Sequence, residues 1–257
     1  MLNNPKIYFT DHGISKSMCD LVHKGFGYPL EHVKNYVSGD AVMYGVLRGC
    51  HKVMKTTEAN GVNYVNIDHG YFTSRNKNAY YRFTKNGRTY SYDLLNLPSD
   101  RFLSHNRPLK EYKKDGHIIL VLPPSSYWGV LENINPVEWA YNVEKELKQH
   151  TDMVVKVKKK QDTLPLTEYL KQAYVLVHFS SIGAVDALFE GVPVITLGPS
   201  FLNKYSTTDL SEIYDLKYFE REKLFYNLAY NQFNVSEIQS GYALQQLTEI
   251  YGALENG

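Results

Sequence analysis

Two cysteines and two tryptophans in 257 residues are few, and what is scarce limits the chemistry before any motif is read. Cys19 and Cys50 form no C-x-x-C, which excludes a disulfide framework or a structural zinc knuckle and fits a reducing compartment. Both read as small apolar side chains of the interior. Charge of one sign is also lacking: 28 Lys and Arg stand against 27 Asp and Glu, a net charge of +1. No global positive field exists to hold nucleic acid, so any such contact needs a local basic patch. No apolar run approaches the roughly 20 residues of a membrane-spanning helix, and no membrane span is expected. The opening MLNNPKIYFT lacks the charged start and apolar centre of a secretory signal, so the chain reads as cytoplasmic. Asp-x-Asp is absent, so no divalent metal is implied, and neither an internal repeat nor a low-complexity linker occurs.

What is present is an ordinary globular balance, 43% hydrophobic and 21% charged. That excludes a disordered or fibrous chain, and the length gives one or two domains. Tyrosine is abundant, with 22 Tyr beside 11 Phe. A phenol joins an apolar ring to a hydroxyl, which suits stacking on bases or sugars and suits an ordinary core equally well.

Along the first half, Lys6–Thr10 reads as an opening strand and Ser15–Lys24 as a helix, broken at Gly25–Pro29. Ala41–Ala59 shows helical periodicity, ended by Asn60–Gly61, and Val62–Ile67 alternates as a strand running into Asp68-His69-Gly70-Tyr71-Phe72. Lys85-Asn86-Gly87-Arg88 between YYRFT and TYSY reads as a hairpin turn. From Gly116 the pattern changes. His117–Pro124 is a continuous apolar strand buried on both faces. Asn135 caps a helix with Pro136 in its first turn, and Val137, Ala140, Val143 and Leu147 make its buried stripe. Met153–Val157, Tyr174–Phe179 and Val192–Leu197 read as further strands, with helices at Thr167–Gln172 and Ile182–Phe189, and Ser211–Leu254 reads as helices. Alternating strands and helices with short links mean βαβ crossovers and a parallel sheet, which binds ligands beyond the carboxyl ends of its strands. The boundary falls at Tyr112–Gly116. It separates residues 1–114 from 115–257, and the last helices of the second part are expected to pack back on the first half.

The segment after Tyr174–Phe179 runs from a buried strand through Ser180 and Ser181 straight into a helix. A helix N-terminus offers unpaired N–H groups and partial positive charge, a seat for phosphate. Ser180 and Ser181 add hydroxyl donors, Gly183 lets an anion approach the backbone, and Asp186 can accept from a ribose. The same residues also describe a plain helix cap, with Ser181 satisfying its own backbone. In the first half, Asp68 or His69 can act as a base, or the segment can be a turn in which Gly70 supplies positive φ. Asp11-His12-Gly13 repeats that tripeptide after the first strand. Arg48, Arg75, Arg82, Lys85 and Arg88, interleaved with Tyr71, Phe72, Tyr80, Tyr81, Phe83 and Tyr90, form the densest basic-aromatic stretch. It can track a phosphate backbone and stack an extruded base, pack on sugar rings, or be a hairpin with a solvated face.

The pattern S-S-x-G-x-x-D-A-L-x-x-G-x-P-V over Ser180–Val194, followed by Gly198-Pro199-Ser200-Phe201 and Thr208-Asp209, resembles the donor half of GT-B glycosyltransferases. The resemblance is to the capsule-polysaccharide transferases that include the bacterial Kdo transferases. It extends to short phage-encoded relatives through Tyr44–Gly49, Asp68–Phe72, Tyr80–Asn86 and Asn231–Ile238. It implies an α/β, compact GT-B-like fold, two Rossmann-like halves with parallel sheets around a cleft. By the same resemblance Ser180, Ser181 and Gly183 bind donor phosphate and Asp186 the ribose. Lys156 and Lys158, with Lys159 and Lys160, stand where the family carries a basic stretch, although capsule enzymes show Arg-Pro-His there. Asp68 matches the catalytic acid of the family's acidic-Gly-Phe motif.

The implied activity is transfer of a sugar from a nucleotide-sugar, expected to be a UDP-sugar and the only co-substrate, with no cofactor. Asp68 would serve as base or nucleophile, with His69 competing for the base role. The acceptor expected is a hydroxymethylated base in phage DNA, held through Arg48, Tyr71, Phe72, Arg75 and Arg82, or else a glycan; a phage-encoded chain would act in the host cytoplasm. No obligate protein partner is evident. The alternatives are a nucleotide-sugar epimerase or hydrolase and a non-catalytic nucleotide-binding module.

Overall fold

Short runs of β-branched and aromatic residues become strands, and the amphipathic stretches between them become helices, over residues 2–72, 79–88 and 93–256 that the computed structural model describes. The chain divides into two units, Met1–Ser104 with Lys223–Gly257, and His105–Glu222. In chain order the first unit opens with β1 (Lys6–Phe9), α1 (Gly13–Phe26), β2 (Leu30–His32), β3 (Ala41–Tyr44) and α2 (Cys50–Ala59). It continues through β4 (Tyr64–His69), β5 (Tyr80–Lys85) and α3 (Asp100–Leu103). The second unit holds β6 (Ile118–Leu122), α4 (Ser126–Glu132), α5 (Pro136–Leu147), β7 (Val154–Val157), α6 (Leu166–Leu170), β8 (Ala173–His178), α7 (Gly183–Phe189) and β9 (Val194–Thr196). The chain returns to the first unit through α8 (Glu222–Tyr230), β10 (Gln232–Asn234), α9 (Val235–Gln239) and α10 (Tyr242–Asn256).

The second unit's sheet runs β7-β6-β8-β9 and is parallel throughout. All five residues of β6 are buried, as the unbroken apolar run requires. The first unit's sheet runs β10-β5-β4-β3-β1-β2. Its β2, β1, β3 and β4 are parallel, but β5 runs antiparallel to β4 and to β10. The expected parallel sheet therefore carries an antiparallel flank in this half.

Two stretches differ from the reading by periodicity. Ala41–Ala59 is not one helix. Ala41, Val42 and Met43 are buried strand residues, and Gly45 (φ 73°) and Gly49 (φ 105°) turn the chain before α2 begins. A short buried apolar run has no period of its own, so periodicity merges it with the helix that follows. The helical reading of the C-terminal stretch also misses β10, three residues whose Phe233 is wholly buried. Helix resumes at Asn234, whose side chain and Glu237 form a reciprocal capping box. Asn135 caps α5 as expected, accepting from the Val137 and Glu138 amides.

One core packs α1, α9 and α10 on the first sheet, with Ile7, Val22, Val42, Val65, Phe83, Phe233 and Leu247 at its centre. A second gathers Ile119, Val121, Val143, Val175, Val177 and Leu210 in the other unit. Cys19 and Cys50 are both free and buried. No helix among the described residues is long and apolar enough to cross a membrane.

Candidate functional site

Strand β4 delivers Asp68 at its carboxyl end, and β5 sets Arg82 directly opposite in the antiparallel register. The Arg82 guanidinium donates to Asp68 Oδ2 at 2.7 Å. Its other nitrogens donate to the carbonyls of His69 at 2.5 Å and Arg88 at 3.2 Å. Its side chain is only 6% exposed, against 30% for Asp68. Asp68 Oδ1 accepts the His69 amide at 2.8 Å. A carboxylate has about four acceptor positions, so each oxygen keeps one to offer a ligand. Arg82 is thus an anchor that fixes this carboxylate, and its fork geometry suits that task.

His69 is exposed, its ring stacked on Tyr81 at 6.1 Å and edge-on to Tyr44 at 6.4 Å. Burial, and then the negative Asp68, push the Tyr44 phenol up to about 12, so it stays protonated as a donor. The segment after His69 is pinned from β10: Gln232 Oε1 accepts the amides of Tyr71 at 2.6 Å and Phe72 at 3.1 Å. Gly70 is required by this closeness and not by a positive φ. A Cβ there would lie 2.7 Å from that Gln232 oxygen and 2.9 Å from Tyr80. Tyr71 is 2% exposed, beneath the Arg82 guanidinium at 5.6 Å. Phe72 stacks on Phe225 at 5.5 Å. Of the two aromatics expected to meet an acceptor, Tyr71 is therefore spent on packing and Phe72 is half-buried. Arg48 is exposed in a left-handed conformation (φ 57°) between Gly45 and Gly49. Arg75 and Tyr90 lie outside the described residues. Asp11 of the repeated tripeptide pairs with His32 at 3.0 Å and Lys34 at 3.4 Å; the His32 contact, then Lys34, hold its carboxyl below the ordinary range.

In the second unit, the turn from β8 into α7 is organised by His178, which is wholly buried. Its Nδ1 accepts the Ser181 amide at 3.0 Å, which leaves the ring proton on Nε2, 2.9 Å from Thr196 Oγ1. Thr196 and Ser206 hydroxyls are 2.7 Å apart, and Ser206 donates to the Leu202 carbonyl at 2.9 Å. Every proton in this chain has an acceptor when the imidazole is neutral. Burial lowers its pKa to about 3, which keeps it so.

Ser181 Oγ accepts the Gly183 amide at 3.1 Å, and Ser180 donates to the Pro199 carbonyl at 2.5 Å. The two serines expected to greet a phosphate are engaged in closing the turn. Gly183 is pressed by side chains: a Cβ there would lie 2.8 Å from Leu122 and 2.9 Å from Leu166. Asp186 accepts from Arg107 at 2.7 Å, and that guanidinium lies over the Phe189 ring at 4.0 Å. Lys156 is exposed on the edge strand β7, while Lys158 lies over the Tyr169 ring at 5.3 Å. Among the described residues, no three His, Cys, Asp or Glu side chains gather as a metal site.

The structure thus brings Asp68, His69, Arg82 and Tyr71 together in one unit, and Ser180, Ser181 and Gly183 in the other. Sequence reasoning missed Gln232, His178 and Arg107, and it placed Arg82 among the acceptor contacts without its pairing to Asp68. Gln232 lies in the quoted Asn231–Ile238 stretch and His178 directly precedes Phe179-Ser180-Ser181, so position beside a motif was the available signal.

The chain is similar in fold to two solved structures from Thermosulfurimonas dismutans. One is KpsC, beta Kdo 2,4 transferase, with TM-score 0.52 and 11% identity, covering 92% of this chain and 98% of that one. The other is KpsC, beta Kdo 2,7 transferase, with TM-score 0.49 and 13% identity, covering 94% and 99%. No protein-family model and no curated protein matches the chain. The first of these similarities shows the fold: α/β, two sheet-bearing Rossmann-like halves, of the GT-B type expected from the sequence.

Proposed function

We propose that this chain is a glycosyltransferase that moves a sugar from a nucleotide-sugar to a hydroxyl. The observation that carries the reading is the fold, shared over 92% of this chain and 98% of a Kdo transferase. Fold alone does not give function. The β4 carboxylate, held at a strand end by a buried arginine, supplies the chemistry that the fold leaves open.

In this reading Asp68 is the general base. The acceptor hydroxyl passes its proton to a carboxylate oxygen as its own oxygen attacks the anomeric carbon. The bond from that carbon to the donor phosphate breaks, and the nucleotide leaves with the bonding pair. Arg82 positions the base without touching the acceptor, and His69 is the alternative base. On the second unit the donor phosphate takes the Gly183 amide over from Ser181 Oγ, whose rotation frees the amide and its own hydroxyl together. Ser180 and Lys158 add donors, Lys156 adds charge, and Asp186 meets the ribose. A UDP-sugar is the first donor to try.

A glycan hydroxyl is the preferred acceptor, because Tyr71 is 2% exposed and Arg82 is committed to Asp68. Of the stretch's described cations, Arg82 and Lys85 are buried and Arg48 and Arg88 reach the surface, a small patch with which to grip a DNA backbone. The test incubates the purified chain with labelled UDP-, CMP- and GDP-sugars, each with capsule-type oligosaccharides or hydroxymethylated DNA. Transfer to a glycan, lost in Asp68→Asn, supports the reading, and transfer to DNA corrects the acceptor. Donor breakdown without any acceptor marks a hydrolase or epimerase. No transfer and no nucleotide-dependent thermal shift would overturn it.

A further inference from the structure

Beside the β8–α7 turn, the second unit carries a groove of about 420 Å³ between α5 and the segment that follows β9. This is the size range of small-molecule sites, roughly 300–1,000 Å³. Helix α5 contributes Trp139, Asn142, Val143 and Glu146, spaced i, i+3, i+4 and i+7 and so on one face. Leu197, Thr208, Asp209 and Leu210 form the other side. Val143 and Leu210 are buried core residues and make an apolar floor. Trp139 is partly exposed, its ring edge-on to Phe179 at 5.9 Å. The side chains of Asn142, Glu146 and Thr208 are exposed and uncommitted among the described residues. Asp209 is rigidly held, its Oδ1 accepting the amide and the hydroxyl of Ser211 at 2.8 and 2.7 Å.

No lysine or arginine lines this groove, which argues against a phosphate and against a second donor seat. What lines it is one indole, two neutral groups that both donate and accept, and two carboxylates that only accept. A pyranose ring presents the complement: an apolar C–H face for the indole, and a rim of hydroxyls that donate and accept. We propose that the groove bounded by Trp139, Asn142, Glu146, Thr208 and Asp209 is a saccharide-binding subsite that takes a neutral sugar unit. The two carboxylates would repel an acidic sugar, so selectivity for neutral rings is part of the proposal. It does not require that the chain transfer sugar, and it stands or falls separately from that reading.

The test titrates the full chain with maltohexaose, cellohexaose, tetra-N-acetylchitotetraose, oligogalacturonate and spermidine, read by calorimetry and tryptophan emission. Of the two tryptophans, Trp128 is 2% exposed, so Trp139→Phe identifies the reporting ring. The expected result is that at least one neutral oligosaccharide binds and perturbs the emission, with oligogalacturonate and spermidine inert. Asn142→Ala and Glu146→Ala, both on the exposed rim, should each weaken binding at least fivefold, with an unchanged melting temperature. Failure of all three neutral sugars, binding undiminished in both variants, or preference for oligogalacturonate or spermidine would each overturn the proposal.

Discussion

At the end of β8 the polar groups face one another. The Ser181 amide is taken by His178, the Gly183 amide by Ser181 Oγ and the Ser180 hydroxyl by the Pro199 carbonyl. At the end of β4 they face outward, since a buried arginine grips Asp68 from below and His69 stands exposed beside it. One strand end has used its hydrogen-bonding capacity to make a turn. The other has placed a guanidinium in the interior, where an unpaired charge is expensive, and the visible result is one oriented carboxylate. A ligand must compete with the protein at β8 and need not at β4. Binding at the first is therefore expected to involve rearrangement, and chemistry at the second to depend on a preset position.

The sharpest way to break this contrast is at Asp68. Asp68→Asn keeps a partner for Arg82 while removing the base, so transfer should fall by about 10²–10⁴-fold with little loss of stability. Asp68→Ala strands the buried guanidinium and should additionally cost up to about 3–5 kcal/mol, read from urea unfolding. If Asp68→Asn leaves transfer within threefold of the parent, the carboxylate is only Arg82's counter-ion and the two strand ends are alike.

Next in size is the imidazole that closes the β8 turn. His178→Ala removes a buried ring and orphans the Ser181 amide and the Thr196 hydroxyl, for an expected loss of about 2–4 kcal/mol. A loss below about 1 kcal/mol would mean that the turn holds itself.

The same residue gives the first end a pH signature that the second lacks. His178 is neutral when folded, its pKa lowered by burial to about 3, and ordinary, near 6.5, when unfolded. Below pH 6.5 the unfolded chain binds a proton that the folded chain refuses, so stability is present above that value and is lost as pH falls toward 3. The contribution to the slope approaches about 1.4 kcal/mol per pH unit. Comparing urea midpoints of the parent and His178→Phe from pH 6.5 down to 4 isolates it, and parallel curves would show that the ring is not buried neutral.

The contrast also explains what the sequence could disclose. Strands β6 and β8, the Asn135 cap and the strand-to-helix passage at Ser180 follow from apolar runs and local hydrogen-bonding chemistry, which neighbours in sequence determine. The Arg82–Asp68 pair depends on the antiparallel register of β5 on β4, and the Gln232 grip on a strand 161 residues from Tyr71. Neither pairing leaves a local trace, so Arg82 read as an acceptor contact and β10 as helix. Gly70 and Gly183 were legible as special positions but for other reasons than those found, because close approach of Gln232 and Leu122 is a tertiary fact. The Ser181 cap is one of two readings that local chemistry allows, and its hydrogen bond to the Gly183 amide is present.

The smallest effect separates the two duties open to Asp186. Its pair with Arg107 is partly exposed, at 38% and 31%, so losing it should cost less than about 1 kcal/mol. A ribose hydroxyl accepted by the same carboxylate is worth about 0.5–1.5 kcal/mol, or roughly two- to tenfold in nucleotide affinity. Asp186→Asn and Arg107→Ala should therefore melt alike, while only Asp186→Asn weakens nucleotide binding measured by calorimetry. Equal weakening in both variants would assign Asp186 to holding Arg107 over Phe189, and the donor seat would then have to be sought without it.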